Sequence, residues 1–167
     1  MLAAAVVLVV GSTGCSVLGG GTSDSLADSV DESAQTGEPF RLSSVTDFEW
    51  DRAHVVPPYA SAEAVNRELG FHWEDAEGAA PRTDARSLIV FVSRGEVIEA
   101  FEHDVEGGDL ACLTSSVLRR GMTPERDLLA TKRVRLSPSD AYDLVFPARP
   151  RGHLEQRALR RCLGHHS

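Results

Sequence analysis

Leu88-Ile89-Val90-Phe91-Val92 is an unbroken run of five apolar residues, and no other feature of the chain restricts its folding as much. A run this short is best placed as a central strand, because both of its faces then find apolar cover. Arg94-Gly95 follows as a two-residue turn, and Glu96–His103 returns as a second strand. The chain therefore contains a hairpin around which other elements must pack.

Those elements are legible from their punctuation. Phe48-Glu49-Trp50-Asp51 alternates apolar and acidic residues, continues through Ala53–Val56 and stops at Pro57-Pro58, as a half-buried strand does. Ser61 suits an N-cap, Glu63 a first turn and Gly70 the C′ position, so Ala62–Leu69 reads as a short helix with Val65 and Leu69 inward. Glu74–Arg86 is a polar loop, and Gly107-Gly108 breaks the chain. Leu128–Leu136 alternates, with Leu128, Ala130, Val134 and Leu136 inward and Arg133 and Arg135 outward; Lys132 on the inner face marks an edge. Tyr142–Phe146 reads as a short strand. Leu154–Leu163 reads as an amphipathic helix with Leu154, Ala158 and Cys162 on its apolar stripe. The order predicts an α+β domain over residues 40–167: a small antiparallel sheet with one or two helices packed on one face. A body of this size buries most of its unfolded-chain surface and needs no cofactor to fold.

The N-terminus has a different character. Leu2–Val10 is nine apolar residues, the length of a signal-peptide core and about half of what a ~30 Å bilayer core requires. Gly11, Ser12, Thr13 and Gly14 then lead with small side chains to Cys15. With Thr13-Gly14-Cys15 as its lipobox and Ser12 where Leu is usual, this segment resembles a bacterial lipoprotein precursor. The resemblance implies a signal peptide over 1–14, cleavage before Cys15 and a diacylglyceryl group on its thiol. It also implies a place on the extracytoplasmic face of the cell membrane. Residues 15–39 follow as a linker; from Ser16 they are rich in Gly, Ser and acids with no aromatic residue, a composition that predicts a disordered tether. Trp50-Asp51, Pro58-Tyr59 and Leu69-Gly70 are similar to a pattern in small uncharacterised bacterial exported proteins and lipoproteins, which carries no assigned activity.

With Cys15 acylated, Cys112 and Cys162 are left as an even pair of thiols. Outside the cytoplasm such a pair is normally oxidised, which predicts a disulfide; two free buried thiols are the alternative. Trp50, Asp51 and Tyr59 are candidates for a ligand groove, since aromatic faces bind sugars and peptides, although a strand Trp is more often core. Glu102-His103-Asp104 joins an imidazole to two carboxylates, and Asp104–Asp109 sets three carboxylates around a glycine turn. Neither has metal-site spacing, and no metal or cofactor is expected. No nucleophile motif stands out. Charge is uneven: residues 1–110 hold 6 bases and 20 acids, and residues 111–167 hold 11 bases and 5 acids. This reads first as internal pairing and more sharply as a basic patch for anionic lipid or envelope polymer. The net charge of −8 argues against nucleic acid as a partner. The functional expectation is a membrane-anchored lipoprotein without catalysis, binding an envelope protein or polymer. A ligand- or metal-binding lipoprotein using His103, and an envelope hydrolase using Asp51, Glu102 and Asp104, are the alternatives.

Overall fold

The apolar run becomes the middle strand of a sheet. In a computed structural model that describes residues 20–118, 120–137 and 140–165, β2 (Arg52–Val56), β3 (Arg86–Ser93) and β4 (Glu96–Asp104) pair antiparallel in the order β2-β3-β4. β3 is buried from Ser87 to Val92 because both of its faces are covered. Leu88, Val90 and Val92 pack with Val56, Val65 and Leu69 on one face. Ile89 and Phe91 pack with Phe101, Trp50 and Leu113 on the other. Arg94 (φ 52°) and Gly95 (φ 82°) form the turn, both left-handed as a two-residue hairpin loop prefers. Between Phe91 and Val92 the register shifts by one residue, so Ile98 has no opposite number on β3.

Local signals place α2 (Ala62–Leu69) as expected. The Ser61 Oγ accepts the Ala64 amide at 3.2 Å, and Gly70 ends the helix at φ 84°. The strand expected from Phe48 begins only at Arg52. Phe48 and Trp50 instead turn their rings edge-on to Phe91, at centroid distances of 5.1 and 5.4 Å, so aromatic packing displaces strand pairing there.

A second antiparallel sheet holds β1 (Phe40–Arg41), β5 (Leu128–Ser137) and β6 (Asp140–Pro147) in the order β1-β5-β6. The α+β class and the antiparallel pairing hold, with two three-stranded sheets in place of one. β1 reaches β5 only at Leu128 and Leu129. Lys132 lies beyond that contact and is exposed, where β5 has an open side among the described residues.

The linker reading needs correction from Gly20 onward. Residues Gly20–Thr36 form helix α1. Few of its residues are apolar, but Leu26, Ala27, Val30 and Ser33 recur at helical spacing on one face. Leu26 and Val30 are 1% exposed and belong to the core of the domain. Thr131 Oγ1 donates to Ser33 Oγ at 3.1 Å, tying α1 to β5. Gly107 and Gly108 mark the close approach. A β-carbon at Gly107 would stand 2.9 Å from that of Ala27, and one at Gly108 would stand 3.0 Å from Val30 and 3.1 Å from Val145. Val134 is buried on the face of β5 expected inward; α1 covers the other face, where Leu129 is buried, and also contacts β6, where Val145 is buried.

Helix α3 (Gly152–His165) extends the predicted span at both ends. Of the expected stripe, Ala158 and Cys162 face inward, joined by Leu159 and Leu163, while Leu154 is 64% exposed. Cys162 and Leu163 lie three and four residues after Leu159, and Leu154 falls on the flank.

Candidate functional site

The groove expected from Trp50, Asp51 and Tyr59 does not assemble. Trp50 is 5% exposed, and its Nε1 donates to Thr46 Oγ1 at 3.1 Å, so ring and polar handle are both engaged inside. Asp51 Oδ2 accepts the Arg94 amide at 2.6 Å and thereby holds the left-handed hairpin turn. Tyr59 is 62% exposed and lines a separate shallow depression with Ala62, Glu77 and Arg82. Trp50 and Tyr59 flank opposite ends of β2. A five-residue strand spans ~17 Å, too far for one sugar ring to touch both side chains.

Strand alternation also divides Glu102, His103 and Asp104. Glu102 and Asp104 point outward to Arg86, which donates to them at 2.8 and 2.7 Å. His103 points inward and is 2% exposed. Its Nδ1 lies 3.2 Å from Ser23 Oγ of α1, and its Nε2 has no hydrogen-bond partner among the described residues. Burial pushes the imidazole below its ordinary value of 6.5, and Asp104 and the Gly107–Gly108 main chain oppose this only in part. Asp109 Oδ1 accepts the Ala111 amide at 2.9 Å. Among the described residues, no group of three or more His, Cys, Asp or Glu side chains is placed to hold a metal ion.

The cysteines fall into two classes. Cys112 and Cys162 form a disulfide with their Cα atoms 5.8 Å apart, joining the turn at Ala111–Leu113 to α3. Cys15 lies outside the described residues. No described helix is long and apolar enough to cross a membrane.

Two concave surfaces deserve a chemical description. One of about 450 Å³ lies where the sheets approach, lined by Pro57, Asp84, Ser87, Asp109, Thr114 and Tyr142. Burial, and to a lesser extent Asp109, hold the Tyr142 phenol above its ordinary value. The other, about 550 Å³, runs along β4. Its floor is Leu88, Val97 and Ala100, its wall is Trp73 with Ala79, and Asp75, Glu99 and Glu102 bring carboxylates to it. β4 pairs with β3 alone among the described strands, so its outer backbone edge borders this groove. From Val97 to Ala100 every residue is partly exposed.

Sequence reading missed this groove, because Trp73 sits 24 residues before Val97 and only the fold brings them together. The available signal was the return strand itself, whose apolar residues are interrupted by Glu96, Glu99 and Glu102.

Among the described residues, three of the paired arginines stay within the acidic or the basic part of the chain. Arg86 serves Glu102 and Asp104, Arg133 serves Asp143, and Arg126 serves Glu155. Arg41 pairs with the fully buried Asp127, the reverse of the expected sense. Arg157, Arg160 and Arg161 are exposed on α3. No protein-family model, curated protein or solved structure matches the chain.

Proposed function

We infer that this chain is a lipid-anchored extracytoplasmic lipoprotein of bacteria, whose α+β body binds another envelope component without catalysing a reaction. The Cys112–Cys162 disulfide carries the reading. Such bonds persist in oxidising compartments and are rare in the cytosol, which agrees with an export signal over residues 1–14. Within that signal, Thr13-Gly14-Cys15 offers the thiol for acylation.

The start of α1 alters what the anchor does. Gly20 follows Cys15 by only five residue steps. At no more than ~3.5 Å each they hold the body within ~17 Å of the bilayer, closer than a 24-residue coil would. A body held so close meets partners at the membrane surface.

Cys15→Ser tests the anchor. The variant is expected to leave the membrane fraction for the soluble extracytoplasmic fraction, and the native mature protein to show the mass of a diacylglyceryl group at its N-terminus. Retention of the variant on the membrane, or an unmodified Cys15 in the native protein, overturns the reading.

A further inference from the structure

We propose that the outer edge of β4 is a docking site for an extended, basic segment of a partner polypeptide, which adds to the sheet as a fourth strand. The proposal deepens the envelope-binding reading and rests on it for the partner's location only.

Three observations meet at this edge. First, β4 is the outermost strand of its sheet, and no described segment pairs with its outer side. Its outward amides and carbonyls repeat at the spacing of another strand, the basis of recognition by strand addition. The opposite edge of the sheet is already covered, since β2 is bridged at Ala53 by Met122 and at Val55 by Thr114.

Second, the groove beside β4 has an apolar floor at Val97 and Ala100 and a wall at Trp73. Side chains of an added strand alternate between faces, so every second residue would enter this groove. Apolar side chains fit that position.

Third, the charged side chains that β4 itself brings to this edge are acidic, and of these Glu102 and Asp104 are already paired with Arg86. Glu99 stands opposite Phe91 and, with Asp75, brings a carboxylate to the groove beside Trp73. Carboxylates on an exposed edge disfavour pairing with a second, equally acidic copy of this chain. They favour a strand bearing Lys or Arg. The occupant read from this edge alternates apolar and basic residues.

The test uses the full chain, purified in detergent, and a capped peptide alternating Lys and Val over seven residues, followed by fluorescence anisotropy. Saturable binding is expected. It should weaken about tenfold when alternate peptide amides are N-methylated on the pairing edge, because strand addition needs those donors. It should weaken by about the same factor for Glu99→Lys, and fall as salt is raised. A Glu-Val peptide should not bind. Equal binding of both N-methylated peptides (one for each edge) shows a charge contact without strand pairing and overturns the proposal. So does unchanged binding by Glu99→Lys, or no binding of the parent peptide. The N-methylated ligands need no change in the protein, so a variant that misfolds does not spoil the result. The measurement does not depend on Cys15, and a failed anchor and a failed docking edge are therefore told apart.

Discussion

His103 is an imidazole enclosed between β4, α1 and the Gly107–Gly108 turn. The neutral ring fits there, since a proton would bring charge into a site where Nε2 has no partner among the described residues. Its folded pKa lies below 6.5, with burial the main cause, and the unfolded chain therefore takes up the proton first. Its contribution to stability is complete above about pH 6.5 and is lost progressively as pH falls from there toward the folded value. The melting temperature should drop over that window, and His103→Gln, which stays neutral, should flatten the drop. Equal slopes for the two proteins in thermal melts followed by circular dichroism would contradict this assignment.

Helix α1 depends on very few apolar contacts, with Leu26 and Val30 as its largest fully buried side chains. Leu26→Ala is expected to cost about 3 kcal/mol, the usual price of an emptied core leucine site. The urea midpoint should fall, and α1 amides should exchange faster. An unchanged midpoint would mean that α1 does not dock. The helix escaped sequence reading because composition averages over a segment while docking depends on spacing: Leu26 and Val30 lie four residues apart, on one turn. The second buried face of β5 was missed for the same reason, since Leu129 lies under α1. By contrast, the β3–β4 hairpin and α2 were legible because their signals are local: Arg94-Gly95 sets the turn, and Ser61 and Gly70 cap the helix. The candidate groove was illegible for the opposite reason. Trp73 and Ala100 share a surface through folding alone.

At the scale of the whole molecule, the disulfide decides how firmly α3 is held. Leu159 is the one buried residue described on that helix, with Ala158, Cys162 and Leu163 only partly covered. Its outer face carries Arg157, Arg160 and Arg161, whose mutual repulsion does not favour docking. The Arg126–Glu155 pair at 2.7 Å secures the first turns. Cys162 secures the last ones by joining Cys112, fully buried and 50 residues away in sequence. A loop of that length contributes about 4 kcal/mol in the chain-entropy account. Replacing both cysteines by alanine should lower stability by about that amount in urea titrations. The loss should also be ordered in space. Hydrogen exchange should accelerate first in the C-terminal turns of α3, while β3, buried on both faces, keeps its protection until global unfolding. If the double variant instead exchanged uniformly faster, the bond would be acting on the unfolded chain alone, and α3 would owe its position to Leu159 and Glu155.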